Sequence, residues 1–216
     1  LATPASLPLD GLFILGGGGF GTRLMQNLRE DKAFTYGCYS SLNITENGSW
    51  MSAGGNFKNA VTDSAITEIL KEFAGIINAQ VTDEELSLTK NNMAGGFARS
   101  LERPQTVARF ALNTIKQKLA PDYYQKYLQQ LEAITKEDVL RVAQQYFTAK
   151  NCHIIVVGNE EILPKLLPFD SDGKIEKLDA FGAAIKETKT ADISAEQLID
   201  SYAMALTGTS SKKAAL

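Results

Sequence analysis

Asn47-Gly48 constrains the fold more than any other part of this sequence, because it sits between two strand-like runs. A two-residue type I′ turn needs positive φ at both central residues, and Asn-Gly meets that demand best. Around it, Tyr36 to Thr45 and Ser49 to Phe57 are rich in alternating apolar residues. A tight turn there predicts the pairs Ile44 with Met51, Leu42 with Ala53 and Cys38 with Phe57. All six side chains then share one face, and Asn43 and Ser52 share the other. Two glycosylation sequons, Asn43-Ile-Thr45 and Asn47-Gly-Ser49, fall in this hairpin, where the turn reading takes precedence.

The residues after the hairpin read as consecutive amphipathic helices. Ile66, Ile69, Leu70, Phe73, Ile76 and Ile77 follow the i, i+3, i+4, i+7 stripe of the first. Thr82-x-x-Glu85 is a capping box opening the second, with Leu86, Met93, Phe97 and Leu101. Asp83, Glu84 and Glu85 suit a helix N-terminus better than a metal site. Pro104 starts a third helix, with Val107, Ala111, Ile115 and Leu119 as its apolar stripe. Pro121-Asp122 starts a fourth, and Thr135 caps a fifth through Val139, Val142, Tyr146 and Phe147. Cys152 to Val157 then reads as a short buried strand, and Ile162 to Leu167 as a last helical turn. The order predicts an α+β fold, an antiparallel sheet covered by several helices on one face. From Asp170 the composition changes, so we expect a domain over 1–169 and an extension over 170–216, with one helix opened by Ser194-x-x-Gln197.

The 216 residues are 44% hydrophobic, and the net charge of −3 argues against a nucleic-acid-binding surface. No apolar run approaches membrane-spanning length. Leu1 to Leu9 reads neither as a signal peptide nor as a natural start, which suggests a processed or trimmed chain. Cys38 and Cys152 both sit in apolar, strand-like surroundings and are expected to be buried free thiols. There is one histidine, His153, inside Cys-His-Ile-Ile-Val-Val. HExxH and HxxEH each need two, so both zinc motifs are arithmetically excluded, and His153 reads as a core or sheet-edge residue.

Gly16-Gly17-Gly18-Gly19-Phe20-Gly21 precedes a helical run with Thr22 as candidate N-cap and Leu24, Met25 and Leu28 on one face. Gly16, Gly18 and Gly21 satisfy G-x-G-x-x-G, which raises a nucleotide-binding alternative. The tight hairpin that follows, in place of a parallel strand, argues against it. Arg29 stands near the end of that helix and Tyr36 at the start of the next strand. A guanidinium and a phenol brought to one locus could hold a carbonyl oxygen gaining negative charge. On spacing alone, a helix-dipole role for Arg29 and a packing role for Tyr36 are the simpler readings.

Leu15 to Gly18, Thr22 to Glu30, Tyr36-Gly37 and Ser40 together resemble the C-terminal half-domain signature of the pitrilysin/insulinase family of zinc metallopeptidases, over roughly Leu12 to Pro168. The resemblance implies a LuxS/mitochondrial-processing-peptidase-like half-domain that faces a catalytic HxxEH half in the same polypeptide or a partner subunit. It implies that Arg29 and Tyr36 bind a peptide substrate and that Gly16, Gly17, Gly18, Gly19 and Gly21 form a loop at the cleft. It implies no cofactor in this chain, with zinc in the partner half, so the chain alone is expected to be inactive. A catalytically inactive scaffold of the same fold is the alternative. The family's half-domain begins with a strand that lies ahead of Leu1, so an exposed sheet edge and pairing between copies are expected. Export of many bacterial relatives points to periplasm or cell envelope over cytoplasm.

Overall fold

The computed structural model describes residues 21–44, 48–116, 118–147, 152–171, 173–185 and 194–207. The chain divides into two compact units, Leu1–Ser171 and Asp172–Leu216. In the first, α1 (Arg23–Met25) continues without a break into a π-helical turn, Gln26–Asp31. Strands β1 (Cys38–Ile44) and β2 (Ser49–Gly55) form an antiparallel pair. Then come α2 (Thr62–Asn78), α3 (Asp83–Ser100), α4 (Pro104–Lys116), α5 (Tyr123–Glu132), α6 (Lys136–Tyr146) and the short α7 (Leu163–Leu166). This is the α+β arrangement that the sequence pattern predicts.

Two apolar clusters hold the unit together. Leu24, Leu28, Cys38 and Ala65 join α1, β1 and α2, with Phe34, Ala53, Phe57 and Ile69 packed against them. Ile76, Val81, Leu131, Ile134, Val139, Val142 and Ala143 form the larger cluster among α2, α5 and α6. The hairpin therefore lays its Cys38–Leu42–Met51–Ala53 face on helices and turns Tyr39 and Trp50, each at least half exposed, to solvent. The predicted capping box is present, Glu85 N–H donating to Thr82 Oγ1 (3.1 Å), and the predicted Thr135 cap also closes as a box, Asp138 N–H donating to Thr135 Oγ1 (3.2 Å).

Three sequence expectations need correction. The hairpin register is Cys38↔Gly55, Leu42↔Met51 and Ile44↔Ser49, two residues away from the predicted pairing. The described ladder ends at Ile44↔Ser49, and the predicted Asn47-Gly48 turn falls partly on residues 45–47, which lie outside the described residues. A slip of two keeps every side chain on its predicted face. The observed register sets Ser41 opposite Ser52, whose hydroxyls lie 2.9 Å apart. It also puts Gly55 where a Cβ would stand 2.3 Å from the Gly37 carbonyl oxygen, so only glycine fits that close approach.

The second correction is the rotation of α4. Val107 (52% exposed), Ala111 and Ile115 (77% exposed) of its predicted stripe face outward, whereas Leu119, just beyond the helix end, is buried as predicted. The inward positions are Thr106 and Phe110 instead. Phe110 stacks on Tyr124 (centroids 3.9 Å) and on Phe97 (5.7 Å), and Asn113 Nδ2 donates to the Tyr124 hydroxyl at 3.4 Å. One half-buried aromatic ring stacked between two others outweighs the smaller Val and Ala faces.

Third, Cys152 to Val157 is irregular and pairs with no strand among the described residues. Cys152 and His153 are exposed, and Ile155 and Val157 are 86% and 98% exposed, so neither Cys152 nor His153 is a core residue.

In the second unit, α8 (Ala195–Thr207) is opened by Ser194 and Gln197 as the sequence predicts, Ser194 N–H donating to Gln197 Oε1 at 2.8 Å. Its residues Leu198, Ile199, Tyr202 and Leu206 are exposed. Leu178 and Ala184 form an isolated antiparallel bridge.

Candidate functional site: the π turn and the loop to β1

The helix from Arg23 to Asp31 carries its apolar residues inward, Leu24 and Leu28 fully buried and Met25 2% exposed. Thr22 occupies the N-cap with an extended backbone, but its side chain makes no capping hydrogen bond. The last turn is π-helical, a form found most often at functional sites because it re-aims the side chains that follow. Lys32 N–H donates to Asn27 O, Ala33 N–H to Arg29 O and Phe34 N–H to Leu28 O. That pattern is a helix C-cap widened by the π turn, with Ala33 taking the left-handed φ of 51° that glycine usually supplies. Phe34 then drops into the Leu24–Leu28–Cys38 cluster.

Arg29 lies in this turn, half-buried, its Nε 3.4 Å from Glu30 Oε1. Tyr36 lies two residues beyond the half-buried Phe34 and is 95% exposed. Its loop is held on both sides. Thr35 Oγ1 donates to Asn56 O (2.7 Å) and accepts from Gly37 N–H (3.1 Å), and Cys38 is fully buried. The two predicted site residues therefore bracket one short, anchored connection. Gly16, Gly17, Gly18 and Gly19 lie outside the described residues. Gly21 is described and exposed, and a Cβ there would come within 2.6 Å of Leu88 Cδ2 on α3.

Sequence reasoning missed the polar face of this helix. Arg23 grips Glu85 with two bonds, Nε to Oε1 at 2.6 Å and Nη2 to Oε2 at 3.1 Å. Glu85 Oε2 also accepts the Thr82 N–H at 2.8 Å, so one carboxylate closes the α3 cap and holds α1. Burial pushes the Glu85 carboxyl up, but the Arg23 and Thr82 hydrogen bonds outweigh it and hold the group below its ordinary value. Hydrogen bonding to Glu85 raises the Arg23 guanidinium against its desolvation. Four residues on, Asn27 Nδ2 donates to Glu68 Oε2 (2.9 Å) and Glu72 Oε1 (2.6 Å) of α2. The Asn27 bond, helped by Lys32 and Lys71, lowers the Glu68 carboxyl against its small desolvation. These groups line an open polar cleft of about 390 Å³. A local sequence window has no signal for a contact such as Arg23–Glu85 across 62 residues.

The donor set does not fit a zinc ion. No group of three or more His, Cys, Asp or Glu able to hold a metal occurs among the described residues, and the single histidine is exposed. No helix among them is long and apolar enough to cross a membrane.

An antiparallel hairpin on a helical layer, preceded by a helix with an arginine at its end, defines the class as an α+β half-domain. Residues 1–93 match the family model described as the peptidase M16 inactive domain. An uncharacterized zinc protease of Mycobacterium leprae is 29% identical over 166 residues, covering 70% of this chain and 34% of that protein. The chain thus spans about a third of the length of that curated relative. The crystal structure of a peptidase M16 inactive domain from Pseudomonas fluorescens aligns with a TM-score of 0.61 at 26% identity, covering 68% of this chain and 35% of that one. A protease from Helicobacter pylori aligns at 0.57 with 25% identity over the same shares.

Proposed function

We propose that this chain is the non-catalytic, substrate-binding half of a bacterial zinc metalloendopeptidase, completing the peptide cleft of a catalytic half. The observation that carries the reading is the inactive-domain match over residues 1–93, which spans the Gly16 to Gly21 loop, Arg29 and Tyr36 together. On this reading zinc belongs to the catalytic half; the similar mycobacterial proteins are named zinc proteases, which supports it. Arg29 and Tyr36 donate hydrogen bonds to the substrate beside the scissile bond. A guanidinium and a phenol suit a carbonyl oxygen that gains negative charge, since both are donors and one carries a fixed positive charge. The anchored loop supports the role, because donors held before substrate arrives need no reorganisation during reaction.

The test is Tyr36→Phe in the intact peptidase containing this chain and its catalytic half. Tyr36 adds nothing to the core at 95% exposure, so the substitution leaves the fold alone. The expected result is a fall in kcat/KM of roughly 10²-fold with an unchanged unfolding midpoint. Undiminished turnover would remove Tyr36 from the site. An intact protein that hydrolyses no peptide would favour the inactive scaffold.

A further inference from the structure

We infer that Arg23 and Asn27, acting through Glu85, Glu68 and Glu72, are positioning residues that set the rotation of the helix carrying Arg29; this rests on the substrate-binding reading above. The helix is short, and its inward face consists of Leu24, Met25 and Leu28. Apolar burial is non-directional, so it fixes the rotation about the axis only coarsely, by which side faces in. The bidentate Arg23–Glu85 fork is directional, and Glu85 is itself pinned as the third residue of the α3 cap. The guanidinium is tucked against the backbone of α2, with its Nη1 3.4 Å from where a Cβ on Gly75 would stand.

One turn later Asn27 fixes the same face to a different helix, its amide nitrogen shared by two carboxylates of α2. Two anchors on two helices define both rotation and tilt. Arg29 follows two residues after Asn27, inside the π turn, and so takes its place from them.

This arrangement is a poor choice for stability alone. Asn27 Oδ1 is buried with no hydrogen-bond partner, while Lys32 and Lys71 offset the like charges that Glu68 brings beside Glu72. Apolar residues of similar volume would avoid the unpaired oxygen. What the polar set adds is direction, which matters where a displacement near 1 Å can change a rate by roughly 10²-fold.

The experiment uses the intact protein, with quenched fluorescent casein as the probe and Glu85→Gln, Arg23→Lys and Arg29→Ala as variants. Glu85→Gln and Arg23→Lys should each lower kcat about tenfold and change KM less than about twofold, because the donors remain but are misplaced. Amide hydrogen exchange supplies a readout independent of activity. The Ala33 and Phe34 amides, which close the π turn, should speed up in Glu85→Gln about tenfold more than the β1–β2 amides, which report only the shared loss of global stability. A uniform rise across the domain would make the pair an ordinary structural bridge and overturn the inference. If Arg29→Ala lowers kcat and Glu85→Gln does not, positioning fails and substrate binding stands. If Arg29→Ala has no effect, or the intact protein cleaves no casein, both readings fail.

Discussion

Two runs of this chain begin with cysteine, look alike in sequence and end up in opposite environments. Cys38 opens β1, pairs across the hairpin and is fully buried among Leu24, Leu28 and Ala65. Cys152 opens Cys-His-Ile-Ile-Val-Val, which is exposed and unpaired among the described residues. Both runs carry the β-branched or apolar residues of a strand. The first has a partner strand and a helix on its inner face, each supplied by nearby sequence. A strand-like run therefore states a requirement for pairing and cover without naming what meets it.

Thiol chemistry should show the contrast most sharply. Burial pushes the Cys38 thiol up from 9.0 to about 11, the Tyr39 backbone N–H offsetting only part of the effect. That alone leaves roughly a hundredfold less thiolate at neutral pH, before any opening of the core is required. With an aromatic disulfide reagent at pH 8, Cys152 should react roughly 10³-fold or more faster than Cys38, whose labelling should track unfolding. Equal rates would dissolve the comparison. Next in size is truncation. Leu28→Ala, next to Cys38, should cost about 3 kcal/mol in a denaturant titration, whereas Val157→Ala, at 98% exposure, should stay within about 0.5 kcal/mol.

The same distinction explains how much of the molecule could be read from its sequence. Thr82-x-x-Glu85 and the Thr135 cap predict helix starts correctly because each cap is complete within four residues. The hairpin faces survive a register slip of two, since parity depends on alternation and not on the turn. The face of α4 did not follow from its own periodicity, because Phe110 answers to Phe97 and Tyr124 on neighbouring helices. For the candidate site, Arg29 and Tyr36 were legible through a family resemblance, and their surroundings were not. The π turn, the left-handed Ala33 and the Arg23–Glu85 grip all arise from contacts or backbone geometry that no short motif encodes.

Charge gives a third way to separate the two regions. Glu68 and Glu85 hold their protons less tightly folded than unfolded, Glu68 chiefly through Asn27, Glu85 because Arg23 and Thr82 overcome its burial. Below their ordinary value of 4.5 the unfolded chain takes up more protons. The stability they add is thus present above pH 4.5 and lost as pH falls through the lower folded values. Glu85→Gln should remove about 2 kcal/mol near pH 7, where charge-assisted bonds to Arg23 are lost, and should flatten the acid limb. Chemical denaturation between pH 3 and 7 measures both. An acid limb as steep as that of the parent protein would mean that Glu85 does not carry the dependence. Labelling of Cys152, an exposed thiol, carried through the same pH range should show no step that follows Glu85.

The smallest expected change probes the backbone that joins the helix to the tyrosine loop. Ala33 has a φ of 51°, in the left-handed region where a Cβ crowds the following carbonyl oxygen at a cost of roughly 1–2 kcal/mol. Glycine removes that clash but gives the unfolded chain more freedom to lose, which offsets part of the gain. Ala33→Gly should therefore stabilise the chain by about 0.5–1 kcal/mol, seen as a higher denaturant midpoint with an unchanged slope. The sign carries the information. A gain means that Phe34 in the core and the three closing hydrogen bonds hold the turn against its own strain. A loss means that Ala33 makes a packing contribution larger than its strain, so that the loop to Tyr36 is held by side chains at the turn itself. The first outcome keeps the contrast with Cys152–Val157 as one of tertiary partners; the second would make it a contrast in local sequence.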